Sequence, residues 1–135
     1  MVVNSDSSDI LPTNLTDGAV SPIDIDQRLH QVAKRCPDKV ALTDSNRRFT
    51  WDTLDKTLNQ VAHALIEIGM APNQRIAILA SNSVDYALLF LGGLRAGVCI
   101  TPLSTLASSD ALAGMINDSE AKLLFVSKDY WNLID

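Results

Sequence analysis

Apolar residues recur at helical spacing in the first half of the chain and predict two helices. One stripe predicts a helix over residues 24–35, and a second predicts a longer helix over residues 51–68. Pro37 ends the first helix, and Gly69 suits the left-handed backbone position that commonly follows a helix. The residues expected on the buried face of the longer helix are Leu54, Leu58, Val61, Ala62, Leu65 and Ile68.

Between these two helices the pattern changes from a helical period to alternation. Residues 39–44 alternate, and a Ser45-Asn46 turn leads into residues 48–50, so a small β-hairpin is expected. Thr50 then suits the N-cap of the longer helix, because its hydroxyl can accept a hydrogen bond from an amide of the first turn.

The second half of the chain alternates short apolar runs with helical stretches. The runs at residues 75–80, 98–101 and 121–126 predict three strands. Two helices are expected between them, one ending before Gly97 and one over residues 109–117. Nearly continuous apolar strands separated by helices are typical of βαβ crossovers. The predicted fold class is therefore α/β, with a partial parallel sheet and flanking helices.

The first of these two helices is apolar nearly all round, and such a helix is stable only if it is covered on every side. Three short strands and two or three helices do not supply that cover, so further chain or a partner is expected to pack on it. Gly92 and Gly93 are expected to allow close packing, and Ser81 or Asn82 to cap the start of the helix. The apolar residues of this helix are Tyr86, Ala87, Leu88, Leu89, Phe90, Leu91 and Leu94.

Composition and charge separate the chain into a tail and a body. Hydrophobic residues make up 47% of the sequence, which is enough for a core, and the formal net charge is −5. The first 26 residues carry five acidic residues and no basic one. Residues 1–23 are predicted to be a disordered acidic tail, and residues 24–135 the folded part. The nearly neutral body lacks the clustered Lys and Arg that bind nucleic-acid phosphates.

The sequence shows no secretory or membrane signal. The start of the chain lacks the basic region and apolar stretch of a signal peptide. The longest apolar run, residues 86–94, is well short of the ~20 residues that a membrane span needs. Cys36 and Cys99 have no metal-ligand spacing, and a disulfide between them stays open. A cytoplasmic protein is predicted.

Four segments occur in the order and spacing of a known enzyme family. They are residues 49–54 (FTWDTL), residues 75–83 (RIAILASNS), residues 94–103 (LRAGVCITPL) and residues 118–124 (DSEAKLL). Together they resemble the opening of the AMP-binding, adenylate-forming enzymes, which include acyl- and aryl-CoA synthetases, luciferases and peptide-synthetase adenylation domains. The resemblance covers roughly residues 26–135.

The resemblance implies the N-terminal portion of the large domain of an acyl- or aryl-CoA ligase. Such a ligase uses ATP and Mg²⁺ to join a carboxylate to AMP and then transfers the acyl group to coenzyme A. The family's phosphate-binding loop is a Ser/Thr/Gly-rich run ending in Lys, and the nearest segment here, residues 104–109, has neither Gly nor Lys. No catalytic, cofactor-binding or metal-binding residue is therefore assigned. Residues 24–135 are expected to be an incomplete domain, inactive by itself.

Histidine and acidic residues supply no alternative catalytic constellation. His30 and His63 fall on polar helix faces, where solvated side chains are expected. Asp52 and Asp55 lie in the first turns of the longer helix, where the helix dipole favours acids. Asp118 and Glu120 are expected in the loop before the third strand.

Three hypotheses of function stay open at this stage. In the first, the chain is a piece of a full ligase, and its partner is the remainder of the ligase chain. In the second, it is a naturally short structural or regulatory partner of a ligase. In the third, it is an unrelated small α/β nucleotide-binding module. Three further questions stay open. They are whether the chain forms a homo-oligomer, whether the acceptor is CoA or a carrier-protein thiol, and which carboxylic acid, fatty or aryl, is the substrate.

Overall fold

The computed structural model of the protein describes residues 24–134. The predicted acidic tail, residues 1–23, lies outside the described residues, and its disorder stays a prediction. The chain divides into two compact units, one ending at Thr57 and the other beginning at Leu58. The boundary between the two units therefore falls within one helix.

The first unit begins with helix α1, Ile25–Arg35. Asp24 caps it by accepting a hydrogen bond from the amide of Asp26 at 3.0 Å. Val32 and Ala33 are buried, as the apolar stripe predicts, whereas Ile25 at its first turn is 57% exposed. The predicted helix and its start are therefore confirmed.

The predicted hairpin follows. Strand β1, Val40–Thr43, pairs antiparallel with strand β2, Arg48–Thr50. In the turn, the Asp44 carboxylate accepts hydrogen bonds from the amides of Asn46 at 2.9 Å and Arg47 at 2.7 Å. Local hydrogen bonds of this kind are the usual reason for Asp at the first position of a turn.

Helix α2, Trp51–Glu67, begins with a reciprocal cap. The Thr53 amide donates to the Thr50 hydroxyl at 3.2 Å, and the Thr50 amide donates to the Thr53 hydroxyl at 2.8 Å. This is the geometry of a capping box, with Thr in the place usually taken by Glu or Gln. The predicted N-cap role of Thr50 is confirmed.

The second unit starts within α2 and contains the end of that helix. Gly69 has a φ of 93°, as predicted, and the Met70 amide donates to the Leu65 carbonyl at 3.0 Å, so the helix ends in a Schellman motif. The prediction that Ile68 is buried is wrong, since it is 61% exposed. The positive φ at Gly69 redirects the chain, and Met70, 6% exposed, joins the core instead.

The second unit is built on a three-stranded parallel sheet. Its strands are β3, Arg75–Leu79; β4, Cys99–Pro102; and β5, Leu123–Val126. Their order is β4-β3-β5, so β3 is central, and its residues 76–79 are at most 1% exposed. The predicted α/β class with a parallel sheet is confirmed.

Two helices cover opposite faces of this sheet. Helix α3, Val84–Arg95, lies on the face that Ile76 shares with Val98, and helix α4, Ser109–Ser119, lies on the face that Ala77 shares with Leu112. Because side chains of a strand alternate between faces, the central strand contributes to both apolar clusters.

Glycines let α3 pack closely, as predicted. A Cβ atom on Gly92 would lie 2.5 Å from Cγ1 of Val61, and one on Gly93 would collide with Cδ1 of Ile100. One side of the helix is buried, and Tyr86, Leu89, Phe90, Leu91 and Leu94 are half-buried. Cover of the rest of α3 by further chain or a partner stays a prediction.

Some element boundaries differ from the predicted ones. Ser83 caps α3, rather than Ser81 or Asn82, and its hydroxyl accepts from the Tyr86 amide at 3.1 Å. Three consecutive polar residues can all cap a helix, and only the path of the chain decides among them. A short 3₁₀ helix, Lys128–Leu133, follows β5 and was not predicted.

Within residues 24–134, no helix combines the length and apolar character that crossing a membrane requires.

Candidate functional site

The carboxyl ends of the parallel strands meet at one edge of the second unit. The chain leaves β3 toward α3 on one face and leaves β4 toward α4 on the other. Such a reversal is the usual place for a ligand in an open α/β sheet. We call the polar residues of these loops the carboxyl-end rim, and its members are Ser81, Asn82, Ser83, Ser104, Thr105 and Ser127.

The loop after β4 does not offer a cradle for nucleotide phosphates. The Leu106 amide donates to the Ser104 hydroxyl at 3.3 Å, and the Ala107 amide donates to the Ser104 carbonyl at 3.3 Å. Phosphate binding requires several backbone amides directed at one anion. Since these amides are engaged within the loop, the residues present do not fit ATP phosphates.

An open groove of about 590 Å³ lies beside the end of β4 and the last turn of α4. Arg75 in this groove forms an ion pair with Glu120 at 2.6 Å, and Asp118 also lines it. One cation against two anions disfavours a phosphate ligand. Asp118 lies in the last turn of α4 and not in the predicted loop, whereas Glu120 follows the helix with a φ of 52°.

A cleft of about 300 Å³ lies between the first turns of α3 and the carboxyl end of β5. Its lining is mainly apolar, with Ile78, Leu89 and Phe125 among the lining residues. Ser127 also lines the cleft, and its Oγ atom is buried without a hydrogen-bond partner. A buried hydroxyl without a partner is unusual, because native structures satisfy most such groups.

A second cleft, of about 380 Å³, lies on the opposite face of the sheet. It is lined by Leu112 and Ile116 of α4, by Leu124 of β5 and by Leu133 of the 3₁₀ helix. Strand β5 thus has a cleft on each of its two faces, and each lining includes an acid, Asp85 in the first cleft and Asp110 in the second. We call the pair the β5 clefts.

Comparison with known proteins decides the family. Residues 29–134 match the family model described as AMP-binding enzyme. The chain belongs to this family. The sequence resemblance had implied both this family and an N-terminal position within its enzymes, and solved N-terminal domains of acyl-CoA ligases share the fold.

Two curated relatives and one solved structure show how far the likeness extends. A linear gramicidin synthase of Brevibacillus parabrevis is 30% identical over 110 residues, which are 82% of this chain and 2% of that protein. The 4-hydroxybenzoate–CoA/benzoate–CoA ligase of Rhodopseudomonas palustris is 28% identical over 104 residues, which are 77% of this chain and 19% of the ligase. A fatty acyl CoA synthetase of Mycobacterium tuberculosis superposes with a TM-score of 0.79 at 26% identity, over 83% of this chain and 23% of that one. The chain therefore spans less than a third of each of these relatives.

Within this AMP-binding family member, the acids of α2 do not form a carboxylate pair. Asp52 pairs with Lys56 at 2.8 Å, whereas Asp55 is hydrogen-bonded to Nδ1 of His30 across 2.9 Å. The pairing of His30 was not predicted, because its partner lies 25 residues away and no local pattern marks it. His63 is exposed, and Cys36 and Cys99 are free thiols.

The carboxylate in the hairpin turn has a lowered pKa. The amide of Asn46, followed by the side chain of Arg47, lowers the pKa of Asp44 below its ordinary value of 3.8. Within residues 24–134, no group of three or more His, Cys, Asp or Glu side chains is arranged to hold a metal ion.

Proposed function

We propose that this chain is the N-terminal part of an ATP-dependent acyl- or aryl-CoA ligase and is inactive by itself. In such a ligase a carboxylate attacks the α-phosphate of ATP, giving an acyl-adenylate and pyrophosphate, and the thiol of coenzyme A then takes the acyl group. The observation that carries the proposal is the family match over residues 29–134, supported by the fold shared with a fatty acyl CoA synthetase.

The role proposed for this chain is structural. Catalysis of adenylation requires groups that neutralise phosphate charge and align the carboxylate with the α-phosphate. The loop after β4 uses its own amides internally, and the groove beside it carries an excess of acid. We therefore assign no catalytic residue here and propose that the remainder of the ligase polypeptide supplies the phosphate loop, the Mg²⁺ site and the CoA site. The cytoplasm is the proposed location.

A second candidate is the corresponding part of a peptide-synthetase adenylation domain. The observation in its favour is the 30% identity to the linear gramicidin synthase. The first step is the same in both candidates, and the acceptor differs. A ligase transfers the acyl group to free CoA, whereas an adenylation domain transfers it to the thiol of a carrier protein.

The test starts from the native polypeptide. Antibodies raised against this chain recover it from its source, and its intact mass is measured. The recovered polypeptide is then assayed for ATP–pyrophosphate exchange with a panel of fatty, aryl and amino acids, followed by CoA or a carrier protein as acceptor. We expect a polypeptide several times longer than 135 residues that exchanges pyrophosphate and forms a CoA thioester. The isolated chain is expected to release no pyrophosphate.

Each other outcome selects an alternative. A native polypeptide of only 135 residues would overturn the ligase proposal and favour a short structural or regulatory partner. Transfer to a carrier protein but not to CoA would favour the peptide-synthetase candidate. ATP binding by the isolated chain, in a preparation free of contaminating ligase, would favour an independent nucleotide-binding module.

A further inference from the structure

The loop after β4 carries an apolar side chain that is almost completely exposed. Leu106 is 96% exposed, and among the described residues no other large apolar side chain exceeds 61%. The loop lies between Leu103 and Leu112, which are 7% and 0% exposed. None of residues 104–111 is buried, so the chain is anchored at both ends of this segment and not within it.

The hydrogen bonds of this loop join its own residues. The Leu106 and Ala107 amides donate to the hydroxyl and the carbonyl of Ser104, both at 3.3 Å, and the Ala111 amide donates to the Ser108 hydroxyl at 3.3 Å. These distances exceed the ordinary range of about 2.7–3.2 Å. Opening of the loop therefore breaks a few weak local bonds and leaves the sheet in place.

The composition of the loop suits recognition by a protease. Residues 104–111 (STLASSDA) are small or polar except for Leu106. Exposed loops of this kind are preferred sites of proteolytic cleavage, because a protease binds its substrate in an extended form that local opening supplies. A protease with an apolar pocket for the residue before the cleaved bond would select Leu106.

The other exposed apolar residues fit such a protease less well. Met115 lies in α4 and Trp131 in the 3₁₀ helix, and they are 40% and 61% exposed. Cleavage at either residue first requires hydrogen-bonded turns to unwind. The exposed isoleucines are branched at Cβ, which a narrow pocket beside the cleaved bond accommodates poorly.

Cleavage in this loop leaves noncovalent contacts across the cut. Strand β3 precedes the loop and β5 follows it, and the two strands pair in parallel. Leu112 of α4 packs in one cluster with Ala77, Leu79 and Leu103. The contacts that hold α4 and β5 on β3 therefore do not depend on an intact loop.

We propose that the peptide bond between Leu106 and Ala107 is a processing site for a protease with an apolar primary pocket, and that the cut protein stays assembled. Hydrolysis breaks the C–N bond of this peptide. Water supplies the hydroxyl that gives Leu106 a carboxyl terminus and the proton that gives Ala107 an amino terminus. The proposal rests on the loop alone and does not depend on the proposed function.

The test exposes the purified 135-residue chain to a low concentration of chymotrypsin without denaturant and identifies the products by intact mass. We expect the first cut within residues 24–134 to follow Leu106 and to give two products whose masses sum to that of the chain plus one water. The products should elute together in size-exclusion chromatography and separate in urea. Below the unfolding transition, urea should change the cleavage rate by less than about twofold, because local opening exposes little surface.

Two substitutions separate the role of the loop from that of its side chain. Leu106→Asp removes the residue that the apolar pocket selects and is expected to slow the cut at least about tenfold. Leu106→Lys is expected to transfer the cut to trypsin, since the natural chain has no Lys or Arg between Arg95 and Lys122. Trp131→Ala is the matched control and is expected to leave the cut after Leu106 in place. Because the Leu106 side chain is 96% exposed, both of its substitutions are expected to leave the melting temperature unchanged.

The proposal is overturned if the first cut within residues 24–134 falls elsewhere, if the cleavage rate rises with urea as steeply as global unfolding does, or if trypsin does not cut Leu106→Lys in the loop. Separation of the two products without denaturant overturns the assembled state. If either Leu106 variant does not fold, the products and the urea dependence of the unaltered chain decide. No adenylation is measured in these experiments, so a failure here leaves the ligase proposal intact, and a failure of the ligase assay leaves the cleavage result intact.

Discussion

The hairpin of the first unit and the parallel sheet of the second unit are stabilised by contacts of different range. In the hairpin, Asp44 bonds to amides two and three residues later, and Thr50 bonds to Thr53. In the sheet, Ile76 of β3 lies beside Ile100 and Leu123, which are distant in the sequence. The first kind of structure depends on polar local bonds, and the second depends on apolar packing between separate elements.

This difference predicts that the largest loss of stability comes from the central strand. Ile76→Ala removes a side chain that is fully buried between β4, β5 and α3, so the cost combines lost burial with a cavity, about 2–5 kcal/mol. Ile66→Ala is the matched control, because Ile66 is 54% exposed, and it is expected to change stability by less than about 0.5 kcal/mol. Urea unfolding followed by circular dichroism measures both. Similar losses for the two variants would contradict the central position of β3.

The same comparison explains how much of the fold the sequence predicted. Three local signals were confirmed: Thr50 marked the start of α2, Gly69 its end, and the Ser45-Asn46 turn the hairpin. The predicted cap of α3 was wrong, since it lies at Ser83 and not at Ser81 or Asn82. Three apolar runs predicted three parallel strands. Their order, β4-β3-β5, was not predicted, because the runs are alike in composition and only packing decides which is central.

The candidate site was less accessible to sequence reasoning than the fold. The ion pair of Arg75 with Glu120 joins residues 45 positions apart, and the β5 clefts arise from three elements meeting at one strand. Ser127 carries no motif, and its unpartnered hydroxyl is visible only when its surroundings are known. Two functional signals were within reach of the sequence. One was the likeness of four segments to the AMP-binding enzymes, which the family match confirms, and the other was the lack of Gly and Lys in residues 104–109.

The second largest effect is expected where α3 packs on α2. Gly92→Ala places a Cβ atom 2.5 Å from Cγ1 and 2.6 Å from Cβ of Val61. Because the Cβ of Val61 is bonded directly to its Cα, rotation of the side chain does not move it away. The overpacking cost exceeds the gain in helix propensity, so a net loss of about 1–2 kcal/mol is expected.

Gly114→Ala in α4 is the matched control for Gly92→Ala. A Cβ atom at Gly114 meets nothing within 4 Å, so this change is expected to stabilise the protein by up to about 1 kcal/mol. Val61→Ala combined with Gly92→Ala is expected to recover part of the loss, because it removes the Cγ1 methyl group at 2.5 Å while the Cβ contact at 2.6 Å remains. Equal effects of the two glycine substitutions in thermal unfolding would show that α2 and α3 pack more loosely than these distances indicate.

A smaller effect is expected at the capped start of α2. Thr50→Ala removes the hydroxyl that accepts the Thr53 amide at 3.2 Å, at a cost of about 0.5–2 kcal/mol. Thr57→Ala in the same helix serves as the control, since its hydroxyl only donates to the Thr53 carbonyl, already bonded within the helix, and Ala favours a helix interior. Chemical denaturation compares the two. A loss at Thr57 as large as that at Thr50 would argue against a specific cap.

The smallest effect is expected from protonation of Asp44 in the hairpin turn. Its pKa is lowered below 3.8 by the Asn46 amide and the Arg47 side chain, so the ionised carboxylate stabilises the folded turn. A lowered folded-state pKa means that this contribution is fully present above 3.8 and is lost as the pH falls through the folded-state value. The chemical shifts of the Asn46 and Arg47 amide protons, followed by NMR, should titrate with a midpoint below 3.8, and in Asp44→Asn this titration should disappear. A midpoint at or above 3.8 would mean that these local bonds do not favour the carboxylate, and the hairpin would then depend on packing as the sheet does.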